Sequence, residues 1–295
     1  MIQQWINKVF HISNAESAPI IITLLVFVTG GLLKLLSDLI VGIGRRRVIR
    51  RQFYLLSEVM AGSALIQADK YKETAEGFTL DGLKPLKMSV VDFYQPSIIK
   101  DIGYPKTFGS FFEGLENRFI FRLINRQKKL DAFYDCWNAL SSIQISQLRA
   151  NEAIGFVLEY YNGHNEKRNK GMMEFEKLMF SIYQSLLGLP QADYAKKYYK
   201  EVTQIKEEWS KIPDNVTPKI AHDRLVKPIV DLSMNNTYEG AQLVRFCLMD
   251  VESEYVNMEK MMNVYKQQLI NYSEYIRIHA GNIVSGQIVL KKYFR

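Results

Sequence analysis

Cysteine, proline and glycine are scarce in this chain of 295 residues, which has 2 Cys, 8 Pro and 17 Gly. The two cysteines, Cys136 and Cys247, lie far apart in the sequence, which excludes a disulfide framework and a cysteine-rich metal site. The low proline and glycine content, together with 12% aromatic residues, excludes collagen-like and disordered proteins. A mean hydropathy of −0.13 excludes a transporter with several membrane spans.

Familiar catalytic motifs are also lacking. The sequence has no GxxxxGK[ST] phosphate-binding loop, no GxSxG nucleophile elbow, no kinase motif and no HExxH zinc site. We therefore expect a protein that is not an enzyme, and we predict no catalytic residue, no cofactor and no metal ligand.

One apolar run is long enough to cross a membrane. Residues 19–33 carry no charge, and the apolar character continues past Lys34 and Asp38. A helix over residues 19–43 would rise about 37 Å at about 1.5 Å per residue, which exceeds a hydrocarbon core of about 30 Å. The run predicts a single transmembrane helix over residues 18–44.

A basic cluster follows this run directly. It consists of Arg45, Arg46, Arg47, Arg50 and Arg51. Because basic residues beside a span stay in the cytoplasm, we predict a cell (inner or plasma) membrane protein with its N-terminus outside and its C-terminal domain in the cytoplasm. At this position the arginines would contact anionic lipid, each contributing about 1 kcal/mol. Nucleic acid is not an expected partner, because its binding needs basic charge spread over a folded face.

Lys34 and Asp38 are charged residues near the end of the apolar run. They stand four residues apart and so share one face of a helix. One interpretation is an intramembrane ion pair that marks an ion path. The favoured interpretation places both near the cytoplasmic interface, with the Lys34 stem extending to water, because a single span cannot build a conduit without oligomerising.

The remainder of the chain predicts an all-α fold. Apolar periodicity predicts a helix over residues 128–161, a polar turn over 162–171, and a second helix that ends at Gly188. Thr217 and Pro218 can start a later helix that Pro228 should kink or end. We expect a cytoplasmic bundle of long antiparallel helices behind the membrane helix.

The last long helix carries a heptad pattern. Its middle positions form a helix-packing or partner face, made of Tyr255, Met258, Met262, Tyr265 and Tyr272. Two interpretations are open, a self-associating coiled coil and a helix packed against its own chain. We favour the second, because Tyr and Met stand where a two-stranded coiled coil prefers Ile, Val and Leu.

The predicted organisation has six segments. They are a short extracytoplasmic amphipathic segment (1–17), the transmembrane helix (18–44), a basic juxtamembrane helix (45–69), an irregular loop region (70–106), the helical bundle domain (107–280) and a basic and aromatic C-terminal tail (281–295). A small hairpin at residues 282–290 is the one weak strand signal, with Ser285 and Gly286 in its turn.

A single pair of residues suggests metal chemistry. His222-Asp223 resembles the central pair of HD-type metal phosphohydrolases, and His164 and Asp250 are the residues that could complete such a site. The resemblance covers four residues. We favour an ordinary exposed histidine beside an acidic residue near a helix start, because a metal site needs converging ligands.

These observations predict an interaction protein. In the preferred hypothesis the membrane-anchored helical domain binds a protein partner or a second copy of itself, or senses a cytoplasmic state, and its anchor contacts lipid. Two other hypotheses are a membrane-perturbing effector of the kind found in phage-defence systems, which rests on layout alone, and a metal-dependent hydrolase built on the His222-Asp223 pair.

Overall fold

The computed structural model of the chain describes residues 4, 8–9, 14–80, 102–114, 125–188, 193–212 and 217–294. Its elements are, in chain order, α1 (Asn14–Glu76), α2 (Tyr104–Phe112), α3 (Arg126–Gly188), α4 (Asp193–Ser210), α5 (Pro218–Ala221), a π-helical turn (His222–Val226), α6 (Lys227–Met234) and α7 (Glu239–Tyr293). The described ranges contain no strand. The all-α prediction is confirmed, and the antiparallel bundle stays a prediction.

Helix α1 joins the predicted span and the predicted juxtamembrane helix in one continuous element of 63 residues. It extends seven residues into the predicted loop region and ends at Glu76, where the Gly77 backbone N–H donates to the Glu73 carbonyl at 3.0 Å. Most of the predicted amphipathic segment 1–17, and residues 81–101 of the predicted loop, lie outside the described residues.

The polar turn predicted over residues 162–171 is wrong, because these residues belong to α3. The helix runs through this segment without a break and ends at Gly188, as predicted. The segment is polar but has no proline, and Glu, Lys and Arg are good helix formers. Tertiary contacts also hold it: the His164 ring contacts the Glu254 carboxylate, and the Cys247 thiol lies 3.6 Å from the Gly171 carbonyl.

The hairpin predicted over residues 282–290 is wrong, and most of the predicted C-terminal tail is helical, because α7 includes these residues. It continues to Tyr293, and Phe294 beyond it is buried, with 5% of its surface exposed. Gly286 is required for close packing and makes no turn, since a Cβ there would lie 2.4 Å from the Cys136 Sγ and 2.8 Å from a backbone oxygen of α3. A Ser-Gly pair can therefore mark a helix contact as well as a turn.

The chain divides into two compact units. The first unit comprises Met1–Met60, Tyr94–Trp137 and Ile283–Arg295, and its described part is built around aromatic rings. Phe53, Phe111 and Phe133 are fully buried at its centre. The Phe53 and Phe133 rings stack with centroids 5.9 Å apart, and Phe294 meets Phe111 edge-on at 5.2 Å.

The second unit comprises Ala61–Phe93 and Asn138–Asn282. Its core joins α3, α4, the π-helical turn, α6 and α7 through buried aliphatic residues such as Met179, Val202, Ile229 and Leu248. The hydroxyl of the buried Tyr198 lies 2.7 Å from the Ser233 hydroxyl, so that both buried polar groups are paired. The predicted bundle domain 107–280 is thus shared between two units.

Candidate functional site

A cavity of about 340 Å³ lies within the second unit. Residues of α3, α4, α5, the π-helical turn and α7 line it. Its apolar part includes Met172, Leu225 and Val226, and its polar part includes cations from α3 and α4 and an imidazole from the π-helical turn. The volume matches the smaller end of small-molecule sites, which span about 300–1,000 Å³.

The π-helical turn places the imidazole at this cavity. Thr217 caps the start of α5, with its hydroxyl oxygen accepting from the Ile220 N–H at 3.2 Å, and Pro218 occupies the first turn as predicted. Pro228 has no N–H to donate to the carbonyl four residues earlier. The helix widens just before it, and the Lys227 N–H donates to the carbonyl of His222. Pro228 therefore changes the helical pitch without ending the helix, and π-helical turns are frequent at functional sites.

His222 is held by three neighbours. Its ring stacks on Tyr255 of α7, with centroids 4.1 Å apart and planes 6° from parallel. Its Nδ1 lies 2.9 Å from the Asp223 Oδ1, and its Nε2 lies 3.7 Å from the Glu252 Oε1. The Nε2 atom is buried and has no hydrogen-bond partner in the part of the chain that the structure describes. A hydrogen bond from Nδ1 to Asp223 leaves Nε2 free for a ligand.

Arg168 supplies a second buried polar atom without a partner. Its Nη2 donates to the Asn169 Oδ1 at 3.0 Å, whereas its Nη1 is buried and makes no hydrogen bond within the described ranges. Burial lowers the pKa of the guanidinium, but an arginine side chain stays charged at neutral pH. The other cation of the cavity, Lys206, forms an ion pair with Glu176. The charge of Arg168 is therefore the less compensated of the two.

The predicted arginine cluster lies on α1. Arg45, Arg47 and Arg51 are exposed and Arg46 is partly buried. Arg50 is buried, with 7% of its surface exposed, and its guanidinium carbon lies 6.0 Å from the centroid of the Phe294 ring in the first unit. Arg50 thus packs on the fold, and lipid contact by the other four arginines stays a prediction.

Lys34 and Asp38 are both exposed on α1. An ion pair between them is not among the contacts of the described residues, so the intramembrane pair stays a prediction.

The predicted packing face of α7 is largely buried by the chain itself. Tyr255, Met258 and Met262 have 5%, 1% and 8% of their surfaces exposed, and Tyr265 and Tyr272 are half-buried. This burial supports packing within the chain over an open partner groove. Tyr255 also lines the cavity, beneath the His222 ring.

The residues nominated for a metal site have other contacts. His164 contacts Glu254, and Asp250 is exposed. In the described part of the chain, no group of three or more His, Cys, Asp or Glu side chains could hold a metal ion. The His222-Asp223 pair therefore lacks, in the described part of the chain, the further ligands that a metal-dependent hydrolase needs.

Sequence patterns did not reveal the main polar residues of the cavity. Arg168 lies in the segment interpreted as a turn, and Lys206 stood out in no motif. The one local signal was Pro228, because a proline in a helical pattern marks a place where the backbone must adjust.

The fold and this cavity define an all-α protein with a cavity of ligand size and one helix, among the described residues, that is long and apolar enough to cross a membrane. No protein-family model, curated protein or solved structure matches the chain.

Proposed function

We propose that the chain is a single-pass membrane protein whose folded part is a binding or sensing module on the cytoplasmic side. The observation that carries this proposal is that the apolar residues of α1 are exposed in its first part and buried in its later part. No residue of its most apolar stretch is buried, and Phe27 and Leu33 have 81% and 67% of their surfaces exposed. Further along the same helix Phe53, Met60 and Tyr71 are buried. A helix that is apolar on all sides and uncovered by protein suits lipid.

Polar groups within the apolar stretch also suit a membrane. The Thr23 hydroxyl donates to the Pro19 carbonyl at 2.8 Å, and the Thr29 hydroxyl donates to the Leu25 carbonyl at 2.6 Å. Both hydroxyls thus need no water. The exposed arginines after the span support an N-terminus outside and a cytoplasmic folded region.

The cavity supports binding over catalysis. Its lining offers the Arg168 cation, the Lys206–Glu176 ion pair, aromatic rings and apolar side chains, all of which can hold a ligand. The one aliphatic hydroxyl in the lining, that of Thr217, is engaged as a helix cap. A module that binds in the cytoplasm and is anchored by the same chain would confine its response to the membrane surface.

Alkaline extraction of membranes tests the anchor. The native chain should stay in the membrane pellet at about pH 11, whereas a Val26→Lys/Phe27→Lys variant should shift to the soluble fraction. Each lysine near the centre of a span costs roughly 2.5–3.5 kcal/mol in insertion.

The matched control is Leu55→Lys/Val59→Lys, which adds the same charges at exposed positions of α1 outside the span, where the native residues have 55% and 50% of their surfaces exposed. This control should stay in the pellet. Extraction of the native chain, or equal behaviour of the two variants, would end the anchor proposal.

One observation favours a second candidate, in which several copies assemble and perturb the membrane. Lys34 and Asp38 are exposed on a span that the chain does not cover, and assembly would move them from lipid to an interior lined by other copies. Overexpression should then depolarise cells, and Lys34→Leu should change the effect. An intact membrane potential at high expression would exclude this candidate.

A further inference from the structure

The cavity of the second unit is large enough for one small organic molecule. Its volume of about 340 Å³ equals the share of about eleven liquid water molecules, at roughly 30 Å³ each. The compounds that fit are of the size of a nucleoside monophosphate or smaller.

The electrostatics of the cavity select an anion. Arg168 presents a buried Nη1 that lacks a hydrogen-bond partner among the described residues, and no carboxylate in the same ranges forms an ion pair with it. Lys206 is neutralised by Glu176. A phosphate or carboxylate oxygen at Arg168 would satisfy the Nη1 donor and compensate its charge.

The apolar part of the cavity selects a flat ring. Trp209 lines the cavity and is partly buried against the core of the second unit. Met172 and Leu225 lie on the same lining and are apolar. An indole beside aliphatic side chains in the lining favours a ligand with a planar ring, because contacts between aromatic rings add affinity.

We propose that this cavity binds a small organic anion that carries a flat ring, with the anionic group at Arg168 and the ring against Trp209. With Nδ1 donating to Asp223, the Nε2 of the neutral His222 ring is an acceptor, so that it can take an N–H or O–H of the ligand and thereby orient it. The inference deepens the binding module proposed above and rests on it for its biological role. The binding itself requires no membrane.

Calorimetric titration of the full chain in detergent tests the proposal. The probes are adenosine 5′-monophosphate and 2-naphthoate, which join a ring to a phosphate or to a carboxylate. Adenosine and inorganic phosphate each carry one half of the required chemistry. At least one of the two complete probes should bind saturably at one site per chain, about tenfold or more tighter than either half, because both the charged hydrogen bond and the stacking contribute.

Variants locate the binding. Arg168→Gln should lower the affinity for the probe by roughly ten- to a hundredfold, the range expected for the loss of one charged hydrogen bond. Lys167→Gln makes the same change of charge on the neighbouring residue, which is exposed and outside the cavity lining, and should change affinity by less than about twofold. Arg168→Lys keeps the charge but loses the planar guanidinium, so its affinity for the probe should lie between those of the native chain and Arg168→Gln. Circular dichroism confirms that each variant folds.

Two outcomes would overturn the inference: binding of neither complete probe, or equal loss in Arg168→Gln and Lys167→Gln. A chain that binds a complete probe in detergent but is extracted from membranes at alkaline pH would keep this inference and remove the anchor. A chain that stays in the membrane but binds neither probe would keep the anchor and remove this inference.

Discussion

Two glycines of α3 should respond in opposite ways to the same substitution. A Cβ at Gly163 would have no atom within 4 Å, so Gly163→Ala should stabilise the helix by about 0.5–1 kcal/mol. A Cβ at Gly171 would lie 2.6 Å from the Val251 Cγ2, closer than real contacts allow. Overpacking of this kind costs about 1–3 kcal/mol. Because the helix-propensity gain is common to both, the difference between the two variants isolates the steric cost.

Thermal unfolding of the full chain in detergent, followed by circular dichroism, measures this difference. One kcal/mol corresponds to about 2–4 °C for a folded region of this size. The Gly163→Ala variant should therefore unfold about 2–12 °C above the Gly171→Ala variant. In a Val251→Ala background the space is open, and the penalty of Gly171→Ala should largely vanish.

The same experiment tests the continuity of α3. If residues 162–171 formed the polar turn that their composition predicts, Gly163→Ala would bring no gain in helix stability. Equal shifts of the two variants, or a penalty that persists when Val251 is shortened, would refute the close contact of α3 with α7 at Gly171.

Three other predictions concern buried groups. Gly286→Ala should destabilise, because its Cβ would lie 2.4 Å from the Cys136 Sγ, whereas Gly281→Ala, with no atom within 4 Å, should not; equal shifts would contradict this. Tyr198→Phe should cost about 1 kcal/mol by removing the hydroxyl 2.7 Å from Ser233, and an unchanged unfolding temperature would exclude that pairing. Burial raises the pKa of the Cys136 thiol from 9.0 to about 12, so the unfolded chain loses this proton first. The free energy of unfolding should therefore be unaffected by this thiol below pH 9 and should fall between pH 9 and 12, by up to about 1.4 kcal/mol per pH unit. In the Cys136→Ala variant, unfolding measured over the same pH range should show a smaller decrease.

Apolar periodicity predicted the helices well where the chain buries them. Tyr255, Met258 and Met262 of the predicted packing face are buried, and α7 continues to Tyr293 through the residues predicted as a hairpin and a tail. The errors came from polarity and from small residues. Residues 162–171 look like a turn because they are polar, but contacts such as His164 with Glu254 and good helix formers keep them helical.

The Ser285-Gly286 pair shows that a glycine is an ambiguous local signal. Gly permits a turn, but it equally permits two backbones to approach closely. Which of the two occurs depends on Cys136, a residue far away in the sequence. No window of local sequence contains this information.

The proposed membrane span and the cavity differ in how far each depends on residues distant in the sequence. A span depends on some 20 consecutive side chains meeting one solvent, so that composition alone predicts it. The cavity depends on Arg168, Lys206, His222 and Tyr255 converging from separate elements. In the sequence His222 stands out only beside Asp223, and we favoured an ordinary exposed histidine over a metal ligand. The fold instead leaves 12% of the side chain exposed, stacks its ring on Tyr255 and buries the Nε2 atom without a hydrogen-bond partner among the described residues. A variant that disturbs the span can be designed from sequence, but one that separates ligand binding from folding requires the tertiary contacts, and Arg168→Gln against Lys167→Gln is the pair that those contacts provide.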